Sequence, residues 1–192
     1  MNDLAALYVS IYRDPAHATY GRGLTRCAEF LPRIWSANLE WVLSLGCGHG
    51  DELVAISGRV PHCVGVDFAL PPCVWYDFPD RSLTRVQGDI TEPDLLPGWD
   101  AVVSFDVFEH LREADLDPLL RNIASVTPRA CLVVANMPDP HRLPDGRAVD
   151  LHLIQQPPAW WQERIASATG WRVEVQALGY PQRFGLWCGA WP

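Results

Sequence analysis

Three glycines at alternate positions, Gly46, Gly48 and Gly50, follow directly on the apolar run Trp41 to Leu45. Glycine lets the backbone turn sharply and lets a ligand approach main-chain N–H groups with no Cβ in the way. Asp67 ends a second apolar run, Val64-Gly-Val-Asp, 17 residues beyond Gly50. A carboxylate there either accepts a pair of hydroxyls through charge-assisted bonds or caps the turn that follows. Asp89 stands in Gly88-Asp-Ile90 and reads as a ligand acid or as a turn residue closing a strand. Asp106, after the apolar run that ends at Phe105, suits a cationic group or the cap of a following helix. His110, His141 and His152 are the candidates for proton transfer, each equally readable as an imidazole bonded to backbone.

These residues need elements to hold them. Leu39 to Leu45 reads as a first strand and Asp51 to Ser57 as a short helix with Gly58 as its stop. Strands follow at Cys63 to Phe68, Leu83 to Gln87 and Ala101 to Phe105. Glu113 to Val126 carries Leu116, Leu119, Leu120, Ile123 and Val126 on one helical face. Ala130 to Ala135, Trp171 to Leu178 and Arg183 to Trp191 are further strands, with a helix over Pro157 to Ala168. Upstream, Leu4 to Tyr12 and Leu24 to Trp35 are helix candidates, the second kinked or broken at Pro32. Glu92 to Leu96 suits a short helix, and residues 70 to 81 hold three prolines where a crossover helix is expected. Residues 136 to 155 form a long polar connection of the kind that carries function. Strands and helices that alternate this way favour an α/β fold with right-handed crossovers.

The ordered set, glycine loop, Val64-Gly-Val-Asp67, Gly88-Asp-Ile90 and Val107-Phe-Glu-His-Leu111, resembles the class I S-adenosylmethionine (SAM) dependent methyltransferases over roughly residues 38 to 138. The resemblance implies a Rossmann-like, doubly wound sheet of seven strands, mostly parallel, whose last strand runs antiparallel. It implies one domain over residues 1–192, with a helical lid region at 1–37 and the core at 38–192. Tyr12, Tyr20 and Arg22 then belong to a lid, or else to a packed helix and a solvated loop. The implied cofactor is SAM, released as S-adenosylhomocysteine (SAH). Its contacts would be Gly46, Cys47, Gly48 and Gly50 in the loop, and Asp67 on the ribose with Phe68 beside it. Asp89 and Ile90 would meet the adenine, and Phe105 and Asp106 the methionine end. For the acceptor side the resemblance implies His152 first and His110 second. Trp160 and Trp161 line an acceptor pocket or sit in the core, and His49 lies at the rim of the loop.

Composition narrows the class. A chain of 192 residues, 48% hydrophobic and 20% charged, fits a globular protein with no apolar run near the roughly 20 residues of a membrane span. No secretory signal is legible, so the cytoplasm is expected. The net charge is −8 and none of the 15 basic residues is a lysine. An acidic chain is a poor match for a polyanion, so nucleic acid is an improbable partner and a small-molecule acceptor the expected one. Six cysteines include no Cys-x-x-Cys pair, and the histidines show no metal-type spacing, so neither a disulfide framework nor a metal is expected.

The reading is a methyltransferase acting on an oxygen or nitrogen of a small molecule. A nucleic-acid methyltransferase is the first alternative, although Ser104-Phe-Asp-Val107 is not the proline-rich motif of the amino-methylating DNA enzymes. A nicotinamide-dependent Rossmann enzyme fits the glycine spacing less well, and a non-catalytic SAM-binding module remains open.

Overall fold

The computed structural model describes residues 3–13, 27–70, 82–92, 97–143, 145–179 and 182–192. The chain divides into two compact units, Met1–Ile90 with Pro192, and Thr91–Trp191.

The first unit contains α1 (Asp3–Arg13), α2 (Leu31–Ser36), β1 (Trp41–Leu45), α3 (Asp51–Ile56), β2 (His62–Asp67) and β3 (Ser82–Gln87). β1 pairs parallel with β2, and β2 parallel with β3. β1 is buried along all but its first residue, which is why its sequence is a continuous apolar run and not an alternation. Pro32 does not break α2. It occupies the first turn, where its missing N–H is no loss, so the helix begins there. Trp35 Nε1 donates to the carbonyl of Ile56 at 3.2 Å and ties α2 to the end of α3.

The second unit contains β4 (Ala101–Phe105), a single 3-10 turn at Phe108–His110, α4 (Glu113–Val126), β5 (Arg129–Ala135), β6 (Pro140–Arg142), β7 (Ala148–Asp150), α5 (Pro158–Thr169), β8 (Val173–Ala177) and β9 (Arg183–Gly189). β4 and β5 are parallel; β9 runs antiparallel to both β5 and β8. The five apolar residues expected on one face of α4 are all buried. Arg164 of α5 reaches Asp117 and Glu113 of α4, and Gly170 ends α5 in the left-handed conformation at φ 74°.

Three strands of the first unit and four of the second therefore give the expected class: seven strands, mostly parallel, the last antiparallel, with helices between them. One departure is the long connection after β5, which is not all loop: β6 and β7 form an antiparallel hairpin within it. The proline-rich stretch at 71–81, the helix candidate at 93–96, and Tyr20 and Arg22 lie outside the described residues. No described helix is long and apolar enough to cross a membrane.

Candidate active site

The glycine loop of the first unit is held from below by β2. The N–H groups of Gly46 and Cys47 both donate to the carbonyl of Val66, at 2.8 and 3.2 Å. Gly46, Gly48 and Gly50 have φ of 72°, 49° and 83°, a backbone that side chains resist, so here the glycines are required. Gly50 opens α3, whose first turn carries Asp51 and Glu52 against the positive end of the helix dipole.

Asp67 is the acid that anchors this loop. It is 3% exposed at the end of β2. Its Oδ2 accepts the Gly48 N–H and its Oδ1 the Ala69 N–H, both at 2.8 Å. The sequence left a ligand role and a turn cap as alternatives. The carboxylate does cap the turn at Ala69, and it also pins the glycine loop, with lone pairs remaining on both oxygens. Burial pushes the Asp67 carboxyl upward, against the backbone bonds and the Arg85 charge that pull it down.

Residues that sequence reasoning missed complete this half. Arg85 of β3 donates through Nη1 to the carbonyl of Gly48. Ser44 Oγ donates to Glu52 Oε1 at 3.0 Å, and desolvation pushes the buried Glu52 up to about 8. Cys47 is buried and its thiol is raised by that burial, so it contributes backbone and not a thiolate. The ring of Phe68 packs edge-on against Tyr8 of α1 at 5.3 Å, and Tyr12 against His49 at 5.5 Å. The N-terminal helix thus lies on the glycine loop. Asp89 is exposed and Ile90 buried, beyond the end of β3.

In the second unit Phe105 is buried and Asp106 takes the left-handed conformation, φ 54°, a rare one for a residue with a side chain. Asp106 is not a helix cap, since Val107 stands at the start of the 3-10 turn with no side-chain bond there. Its carboxylate instead pairs with Arg183 of β9 at 3.2 Å.

Four residues later the two candidate histidines meet. The rings of His110 and His152 contact edge to face at 4.6 Å. His110 Nδ1 lies 3.0 Å from the carbonyl of Leu151, and His152 Nδ1 bonds the carbonyl of Met137. Carbonyls only accept, so each Nδ1 carries a proton, and Nε2 is the acceptor whenever the ring is neutral. Glu109, adjacent to His110 in sequence and wholly buried, accepts the Ala135 N–H at Oε1, and its Oε1 stands 4.0 Å from His152 Nε2. Burial raises the Glu109 carboxyl well above the usual carboxylate range. Asp139 Oδ2 stands 3.9 Å from the same nitrogen, and His141 bonds Asp139 Oδ1 at 3.1 Å. Asp150 organises the segment: its Oδ1 accepts the N–H groups of Asp139 and His152, and its Oδ2 accepts from Gln155. Burial pushes Asp150 up slightly, and these donors outweigh it and bring the carboxyl below its ordinary value. Of the two tryptophans, Trp161 is core and Trp160 half-exposed under the Arg164 guanidinium.

A glycine loop, a strand-ending acid and parallel strands with an antiparallel last one are features of the class I, SAM-dependent methyltransferase fold. A family model described as a methyltransferase domain matches residues 18–180, and the chain belongs to that family. Among solved structures, a DhpI–SAH complex is 19% identical with TM-score 0.74, covering 99% of this chain and 96% of that one. The Burkholderia thailandensis 1,6-didemethyltoxoflavin-N1-methyltransferase, solved with its substrate and SAH, is 16% identical with TM-score 0.75, covering 97% and 87%. The sugar N-methyltransferase KedS8 from Streptoalloteichus is 18% identical with TM-score 0.65, covering 95% and 92%. No curated protein gives a significant sequence match.

Proposed function

We propose that this chain transfers a methyl group from SAM to an oxygen or nitrogen of a small-molecule acceptor. The observation that carries the reading is Asp67: a buried carboxylate that fixes the Gly48 amide and keeps an acceptor position on each oxygen for a vicinal diol. Around it the loop of Gly46, Cys47, Gly48 and Gly50 supplies backbone, Phe68 an apolar edge, and Asp89 and Ile90 the adenine contacts. Phe105 and Asp106 are assigned to the methionine end. The titles of the similar structures, which print SAH or SAM as bound, support this cofactor, and two of them name small-molecule acceptors.

The step is a displacement. The acceptor lone pair forms the new bond to the methyl carbon while the carbon–sulfur bond breaks. That electron pair stays on sulfur, and the sulfonium becomes the neutral thioether SAH. The acceptor proton, where there is one to lose, leaves to a base. His152 is the first candidate for that base and His110 the second; each presents an Nε2 held in place by an Nδ1–H bond. The chain works as one domain with residues 1–37 as its lid, in the cytoplasm. The five described cysteines, all free thiols, fit a reducing compartment.

Isothermal titration with SAH tests the cofactor half. Saturable binding is expected, and Asp67→Ala should weaken it by about 2–3 kcal/mol, the scale of charge-assisted hydrogen bonds. Unchanged affinity rejects the ribose role. Transfer of labelled methyl to a panel of hydroxyl and amine acceptors separates an enzyme from a binding module.

A further inference from the structure

Glu109, His110 and His152 each offer one ligand atom, and the three atoms lie within 4.8 Å of one another. Two atoms bound to one transition-metal ion are about 3–4 Å apart, so the widest pair has to close by roughly 1–2 Å, within reach of small side-chain rotations. Three independent features point to a cation. First, Glu109 is wholly buried, and its Oε2 is a buried oxygen with no hydrogen-bond partner, while Oε1 is fixed by the Ala135 N–H. A buried carboxyl oxygen without a hydrogen-bond partner is costly unless it keeps a proton or meets a cation. Second, both histidines spend Nδ1–H on backbone carbonyls, of Leu151 and Met137. That bond is the outer-shell support that metal-bound imidazoles almost always have, since it fixes the tautomer and aims Nε2. Third, the atoms brought together come from two imidazoles and a carboxyl group, a donor set of transition-metal type.

We propose that Glu109, His110 and His152 hold a divalent transition-metal ion. Two imidazoles and one carboxylate favour manganese, iron, cobalt or zinc over magnesium or calcium, which prefer oxygen alone. Three protein ligands leave coordination positions open, and an open position on such an ion binds an acceptor oxygen and lowers the pKa of its hydroxyl. This role rests on the methyltransferase reading above and narrows it to acceptors that present a hydroxyl. The hydroxyl proton leaves to solvent, the oxygen forms the bond to methyl, and the sulfur keeps the pair from the broken carbon–sulfur bond. With the ion bound, both Nε2 lone pairs are spent on it, so the ligand role replaces the base role given to His152 and His110 above.

The test is titration of chelator-treated full-length protein with Co2+, read by visible absorption and by calorimetry, with SAH titrated separately. One ion per chain is expected, with absorption bands in the visible. Glu109→Gln keeps an acceptor for the Ala135 N–H, and His152→Gln removes one imidazole. Each should weaken Co2+ binding about tenfold or more and leave the SAH isotherm and the circular dichroism spectrum as in the wild type. Absence of saturable Co2+ binding overturns the site. So does binding that both folded variants retain at full affinity. Co2+ binding without any SAH isotherm supports the metal site while removing the methyltransferase reading.

Discussion

At the scale of single residues, burial decides what Glu52 contributes. It sits under the glycine loop, accepting from Ser44, and desolvation pushes its carboxyl from 4.5 up to about 8. Between those values the folded protein keeps a proton that the unfolded chain has lost. Its contribution is therefore fully present below the unfolded value and is lost as pH rises toward the folded one, levelling off beyond it. Asp67, also raised by burial, acts in the same direction. Glu52→Gln keeps an acceptor for Ser44 and removes one titration. The urea midpoint of the wild type should fall between about pH 5 and about pH 9 by more than that of Glu52→Gln. Parallel profiles would mean that Glu52 is ionised in the folded state after all. Neither Glu52 nor Arg85 was legible in the sequence as part of the site. A glutamate at the start of a helix and an arginine on a strand are ordinary surface choices, and only the packing of β1, β2 and β3 turns them toward the loop.

At the scale of elements, β2 has to pass close beneath that loop, and Gly65 makes the passage possible. A Cβ there would stand 2.6 Å from Cys47 Cβ and Sγ and 2.7 Å from Leu53 Cδ1. Gly65→Ala therefore crowds the loop and α3 together, with an expected loss of about 1–3 kcal/mol in urea unfolding. It should also weaken SAH binding, because the displaced segment carries Gly46 and Gly48. Gly179, with nothing within 4 Å of an added Cβ, supplies the control. Wild-type stability in Gly65→Ala would show that the loop yields freely. The elements themselves were the most legible part. Buried parallel strands write themselves as apolar runs, and α4 as a stripe of five buried residues. What was missed has local causes. β6 and β7 are three residues each in a stretch of proline, aspartate and arginine, too short for any period to register. The Glu109–His110–His152 cluster joins a 3-10 turn to the second residue after β7, and sequence spacing says nothing of a contact made by folding alone. A proline inside a helix kinks or breaks it, which is the expectation at Pro32, whereas in the first turn, where it stands, it is a start.

At the scale of the molecule, charge sets the partners. The net charge is −8, the cations are all arginines, and several of those described already face a partner in the fold. Arg85 holds the Gly48 carbonyl, Arg183 pairs with Asp106, and Arg164 with Asp117 and Glu113. Arg112 and Arg147 pair with Asp115 and Asp145, and Arg129 lies over Trp191. A nucleic-acid surface needs several cations that can each release a phosphate counterion, and a guanidinium already facing a carboxylate gains little by meeting a phosphate. A fluorescently labelled single-stranded RNA and a DNA duplex should therefore show no saturable anisotropy change at about 150 mM salt, with any affinity weaker than roughly 10⁻⁴ M. Lowering the salt tenfold should bring little binding, because repulsion from the acidic surface lengthens its reach as screening weakens. Tight, salt-sensitive binding would reverse the choice of acceptor class and favour the nucleic-acid methyltransferase alternative, whatever the cofactor half of the protein does.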